Sequence, residues 1–90
     1  MNLAQLKLCF DNGVWHTRQI AALLVINEHG RIHLGQAGRV MGAPAPSVHR
    51  VLSALFKLHL IEREKDENDQ RIVYVFLSEK GKSLMAELLK

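Results

Sequence analysis

LGQAGRVMGAPAPSVHRVLSALFKLHLI, residues Leu34–Ile61, is the stretch whose reading decides the fold. Apolar residues recur at helical spacing in both halves, and Gly42-Ala43-Pro44 punctuates them. The spacing predicts a helix over Gly35–Met41, a tight turn, and a longer helix over Pro46–Leu58, which is the layout of a helix-turn-helix. Pro44 and Pro46 fall at the entry and first turn of the longer helix, where a missing N–H costs nothing. Val48, Val51, Leu52, Leu55 and Leu58 then share one face at i, i+3, i+4, i+7 spacing and are expected in the core. Ser47, Arg50, Ser53 and Lys57 occupy the opposite face with His49 beside them. Hydroxyl, imidazole and guanidinium groups at one end of a helix are suited to base edges and phosphates in a major groove.

Outward from this stretch, the remaining residues read as support. Leu3, Leu6 and Phe10 predict a short first helix over Met1–Phe10, stopped by Asp11-Asn12-Gly13. Thr17 is the expected N-cap of a second helix, Arg18–Glu28, with Gly30 closing it. The apolar residues of that helix spread around it: Ile20, Leu23 and Leu24 on one side, Ala21, Ala22, Val25 and Ile26 beyond. It therefore needs cover on more than one face. Arg31-Ile32-His33 reads as extended. Leu60–Lys65 and Gln70–Leu77 are strand candidates around a polar tip, Asp66-Glu67-Asn68-Asp69, and Ser78 caps a last helix, Glu79–Leu89, whose Leu84, Leu88 and Leu89 are expected to pack inward. The expected fold is mainly α with a small β-hairpin: a winged helix-turn-helix.

Ninety residues, 48% of them hydrophobic, make one domain with one core. Its expected parts are residues 1–16 as N-terminal helix and turn, available for dimerisation, 34–61 as helix-turn-helix, 60–77 as wing and 78–90 as C-terminal helix. Nothing approaches the apolar run of about 18 residues that a membrane span needs, and a secretory pattern is missing at the N-terminus, so a cytoplasmic protein without a membrane partner is expected. A single cysteine, Cys9, excludes an internal disulfide framework and suits a reducing compartment.

The formal charge is +3, mild as an argument for an anionic partner. Its distribution says more: residues 1–60 hold six basic and two acidic side chains, residues 61–90 six and seven. The basic excess sits in the half that holds the helix-turn-helix.

Three runs of residues carry a wider resemblance. Leu34-Gly35-Gln36 leads through Met41-Gly42 to Ser47-Val48-His49-Arg50; Leu60-Ile61-Glu62-Arg63 follows; Asp69-x-Arg71 precedes Leu77-Ser78-Glu79-Lys80-Gly81. Together, over about Thr17 to Leu88, they resemble the winged-helix domain of the MarR family of bacterial transcriptional regulators. The resemblance implies a homodimer on a palindromic double-stranded DNA operator, recognition helices in successive major grooves and wing arginines in the flanking minor groove. It assigns Ser47, His49 and Arg50 to bases or phosphates, Arg71 to the wing and Asp69 to orienting it; Ser53 and Arg39 complete the candidate set. Arginine suits the negative potential of a narrow minor groove, and a nearby carboxylate can fix its fork.

The chain also departs from that family. Its members are usually longer and dimerise through extended terminal helices. Position 59, usually glycine, is histidine; the wing tip is acidic; Phe56 falls on the polar side of its helix, and Tyr74 and Phe76 make both faces of the last strand apolar. A dimer or partner interface built from the second helix and these aromatics is one expectation. The alternative function is a winged helix used as a protein-interaction module in a larger assembly, such as a replication or partition complex.

Catalysis finds no foothold: the chain lacks a phosphate-binding glycine loop, a nucleophile elbow and a convincing carboxylate pair, and no cofactor is expected. His29 and His33 straddle a helix end without a Cys or acidic cluster to complete a tetrahedral set, so no metal is expected either. Cys9 reads as a small buried hydrophobe rather than a redox sensor.

Overall fold

The computed structural model describes residues 1–90, and the helix-turn-helix lies at its centre. In order the elements are α1 (Leu3–Asp11), α2 (Thr17–His29), β1 (Arg31–His33), α3 (Leu34–Met41), α4 (Ala45–Lys57), β2 (Ile61–Lys65), β3 (Val73–Leu77) and α5 (Glu79–Leu88). The fold is the expected winged helix-turn-helix, with one enlargement. β1 does not stand alone but pairs antiparallel with β3, giving a three-stranded sheet of order β1-β3-β2.

Local chemistry sets the ends. Asn2 and Gln5 form a reciprocal capping box at α1, each side chain accepting from the other's backbone N–H at 2.9 and 2.8 Å. The start of α2 corrects the expected cap: Thr17 is the first helical residue and His16 holds the N-cap position. Gln19 Oε1 reaches back instead to accept from the N–H groups of Trp15 and His16, at 2.9 and 3.1 Å, and is buried doing so. At α3 the cap is an imidazole, His33 Nδ1 accepting from Gln36 N–H at 3.1 Å. Gly42 ends α3 in the left-handed conformation, and Pro44 opens α4 with Pro46 in its first turn. Ser78 Oγ accepts from Gly81 N–H at 3.0 Å to start α5.

The remaining differences in extent are physical. β3 begins at Val73 rather than Gln70, because Asp69 C=O accepts from Ile72 N–H and Ile72 C=O from Asp66 N–H, closing the tip as a loop. α4 ends at Lys57, since His59 adopts φ 61° and turns the chain into β2.

One continuous core runs through the molecule, formed by Ala22, Leu23 and Ile26 of α2, Ile32, Ala37, Val48, Leu52, Leu55, Leu60, Ile61, Val75, Leu77 and the α5 residues Leu84, Met85 and Leu88. α1 contributes Cys9, not the stripe that defined it. Leu3 is 79% exposed, and Leu6 and Phe10 are half-buried. Leu89, expected inside, is 55% exposed, because α5 ends one residue earlier. The fully buried positions of α4 are Val48, Leu52 and Leu55, so its interior face is the expected one. That face fixes which side of α4 is presented outward.

Candidate nucleic-acid interface

The outward side of α4 carries His49, Arg50, Ser53 and Lys57, all exposed, with Ser47 half-buried at its first turn. The structure thus places the sequence-chosen residues Ser47, His49, Arg50 and Ser53 on one helix, three of them fully presented. Arg39 is exposed in the last turn of α3, and with His49 it borders the groove between α3 and α4. A Cβ on Gly38 would stand in ordinary van der Waals contact with the Ala43 carbonyl of the turn and with Val48 of α4.

Arg71 stands apart, at the wing tip. Asp66 Oδ2 accepts from the N–H groups of Asn68 and Asp69, both at 3.0 Å, folding the tip into a tight turn. Asp69 then holds Arg71 through both carboxylate oxygens: Oδ1 accepts from its Nε at 3.0 Å and its backbone N–H at 3.1 Å, Oδ2 from Nη2 at 3.1 Å. The guanidinium hydrogen bonds, followed by the backbone one, hold the Asp69 carboxyl below the usual carboxylate range, and Asp69 pushes the Arg71 guanidinium up. The pair is solvated, with the Arg71 side chain 90% exposed, so it adds little to stability. Its consequence is an arginine whose direction is set before it meets a partner.

Between α4 and the wing lies a cleft of about 710 Å³. His49, Ser53, Phe56 and Lys57 form one wall, Arg63, Lys65 and Val73 the other, over a floor that includes Leu52 and Ile61. Arg63 and Lys65 were absent from the sequence-chosen set. The signal was present in the alternation of Ile61-Glu62-Arg63-Glu64-Lys65, which puts Arg63 and Lys65 on the same side of β2 as buried Ile61.

Two of the three aromatics that suggested a covered surface, Phe56 and Tyr74, have intramolecular partners. The Arg63 guanidinium lies over Phe56 at 4.6 Å and that of Arg31 over Tyr74 at 4.3 Å. The most exposed large apolar side chains are those of Leu3, Trp15, Met1 and Leu89. Trp15 stacks on Phe10 with ring centroids 4.4 Å apart, and Gln5 Nε2 donates to the Leu88 carbonyl at 3.0 Å, tying α1 to α5.

The two histidines around Gly30, His29 at the end of α2 and His33 at the end of β1, have separate backbone duties: His33 caps α3, and His29 Nδ1 lies 2.9 Å from the Val25 carbonyl. No helix is long and apolar enough to cross a membrane.

An exposed Arg50 and Lys57 on α4 and an Asp69-held Arg71 on the wing give a winged helix-turn-helix whose outward side is cationic. Residues 16–88 match the family of transcriptional regulators SarA/Rot, and the chain belongs to that family. It is 30% identical over 70 residues to YfiV of Bacillus subtilis, an uncharacterized HTH-type transcriptional regulator, spanning 78% of this chain and 44% of that protein. A MarR mutant from E. coli, complexed with operator DNA, superposes with a TM-score of 0.79 at 20% identity, covering 94% of this chain and 63% of MarR. A MepR mutant from S. aureus, bound to an oligodeoxyribonucleotide, gives 0.85 at 18% identity, covering 96% and 63%. At such identities the likeness is one of fold. The chain spans less than half of YfiV and under two thirds of these two crystallised chains.

Proposed function

We propose that this regulator binds double-stranded DNA as a homodimer, on palindromic half-sites about one helical turn apart. Arg50, His49, Ser47 and Ser53 read the major groove from α4, Arg39 contacts the backbone beside them, and Arg71, oriented by Asp69, enters the flanking minor groove. The observation that carries this reading is the outward face of α4, where Arg50 and Lys57 stand exposed without a carboxylate partner. Solved proteins of the same fold in complex with DNA support it. Leu3 at the start of α1, Trp15 before α2 and Leu89 after α5 are exposed and supply apolar area for the second protomer. The chemistry uses no catalytic group, cofactor or metal, and the cytoplasm is where such a protein meets its DNA.

The acidic tip, Asp66-Glu67-Asn68-Asp69, favours a second reading, a protein-interaction module in a larger assembly. Titration against a random-sequence duplex pool at two salt concentrations separates the two. Enriched, salt-sensitive binding supports the regulator, and absence of binding at low salt supports the adaptor. Sedimentation as a monomer at high micromolar concentration would refute the dimer.

A further inference from the structure

The walls of the cleft between α4 and β2 carry cations whose charge nothing within the chain neutralises. Lys57 stands on the helix wall, Arg63 and Lys65 on the wing wall. The ion pairs of the molecule are Arg31–Glu64, Arg71–Asp69, Lys82–Glu79 and Lys90–Glu87, none of which uses these three. Glu64 also borders the cleft, but Arg31 engages its carboxylate at 3.4 Å. Arg63 is moreover held in place, since its guanidinium carbon lies 4.6 Å over the ring of Phe56, itself 41% exposed. That contact uses none of the Arg63 N–H groups in a hydrogen bond, so they stay free for an anion. The floor between the walls is apolar, with Leu52, Ile61 and Val75, and offers a charged ligand nothing, so an anion must seat on the two rims.

Geometry supplies the anion. Adjacent major and minor grooves of a duplex share one sugar–phosphate strand as their common wall. A protein that places α4 in the first and the wing tip in the second must straddle that strand with whatever lies between them. Here that is the cationic cleft.

Resting on the DNA-binding reading above, we infer that the α4–β2 cleft is a saddle for the phosphodiester strand between the two grooves, with Arg63 and Lys65 gripping it from the wing side, Lys57 from the helix side, and Phe56 positioning Arg63. The saddle reads no bases. It sets the spacing between the major-groove and minor-groove contacts and supplies affinity that depends on salt rather than on sequence. The acidity of the tip is then no obstacle, because the wing's phosphate contacts come from its base.

The test uses the full chain and the duplex enriched from the random pool, with a scrambled duplex of equal length as reference. For the double variant Arg63→Gln/Lys65→Gln, the slope of log K against log salt is expected to flatten by about 1.8, at about 0.9 for each phosphate no longer neutralised, while the preference for the enriched over the scrambled duplex stays unchanged. The charge-preserving pair Arg63→Lys/Lys65→Arg restores the slope, and Phe56→Leu, which removes the platform but little volume, weakens binding without altering preference. All these side chains are exposed, and an unchanged thermal melt verifies the fold. An unchanged slope in the double variant overturns the saddle while leaving DNA binding intact. A vanished preference with an unchanged slope also overturns it, since the residues would then be reading bases. Failure of the wild type to bind either duplex at low salt overturns the DNA-binding reading itself.

Discussion

Asp69 holds Arg71 from two sides, Oδ1 on Nε at 3.0 Å and Oδ2 on Nη2 at 3.1 Å, and the same carboxylate anchors the Arg71 backbone N–H. The residues are two apart in sequence, so the wing needs no long-range packing to aim its arginine. Removing the carboxylate leaves Arg71 charged but undirected, and in the proposed DNA complex binding then has to bear the cost of ordering the side chain.

Protonation of that pair can be followed directly. Asp69 titrates below the ordinary carboxylate range because its ionised form accepts from Arg71. A lowered carboxyl pKa means that the pair is fully present at neutral and mildly acid pH and is lost only as pH falls through the lowered folded value. Carbon-13 titration of the Asp69 carboxyl is expected to give a lower midpoint in the wild type than in Arg71→Gln. Equal midpoints would show that the fork does not persist in solution.

Arg50 is exposed on α4 and enters none of the ion pairs, so Arg50→Ala should leave the melting temperature unchanged within error. Against the cognate duplex it should cost about 1–3 kcal/mol if Arg50 reads a base, or flatten the salt slope by about 1 if it meets phosphate. Competition binding at two salt concentrations distinguishes these outcomes, and equal affinity of variant and wild type at both would remove Arg50 from the interface.

Much of this architecture was legible in the sequence because it rests on short-range rules. The period of Val48, Leu52 and Leu55 fixed the buried face of α4 and therefore its outward face, and Asp69-x-Arg71 announced its own hydrogen bonds. What stayed hidden depends on distant partners. Leu3, Leu6 and Phe10 have a helical period, yet Cys9 became the buried residue of α1, since periodicity marks a stripe without saying what faces it. The pairing of β1 with β3 joins residues more than 40 positions apart. Phe56 looks misplaced on the polar side of its helix until Arg63, on the next strand, is seen above its ring.

Two backbone positions behind α4 give opposite predictions. His59 adopts φ 61°, a left-handed conformation that costs a residue with a Cβ, and its side chain is exposed. His59→Gly should therefore stabilise the fold by about 0.5–1 kcal/mol. At Gly81 a Cβ would run into the Leu60 carbonyl oxygen at the start of the wing. Gly81→Ala should destabilise by about 1–3 kcal/mol as α5 is pushed off the β2 entry. Denaturant midpoints moving in opposite directions would verify both, and a destabilised His59→Gly would show that the imidazole has a structural task.

Cys9 is fully buried in α1, and burial pushes its thiol pKa up. Because the thiolate is the reactive form, the folded protein should react with a thiol reagent only through opening, and far more slowly than in denaturant. A raised thiol pKa also means that stability is retained below the unfolded value and declines as pH climbs through the higher folded one. Rapid labelling of the native protein at neutral pH would contradict the buried placement.

His33 joins the sheet to the helix-turn-helix. Its backbone pairs with Tyr74 in the sheet, its ring meets Tyr74 edge-on with centroids 6.4 Å apart, and its Nδ1 accepts from Gln36 N–H at the start of α3. With Nδ1 as acceptor, the ring proton sits on Nε2. α3 spans only eight residues, so its N-terminus has few other ways to satisfy its free N–H groups. His33→Ala should cost about 1 kcal/mol through loss of the cap, while His33→Asn, which keeps a side-chain acceptor, should recover part of it. If α3 also sets the angle of α4, His33→Ala should weaken DNA binding beyond what its melting temperature explains, because a frayed α3 lets α4 tilt on its buried face. Hydrogen exchange checks that link directly: faster exchange at Gln36 and Ala37 with unaltered protection in α4 would confine the effect to the cap, whereas faster exchange in both helices would show that the cap positions α4.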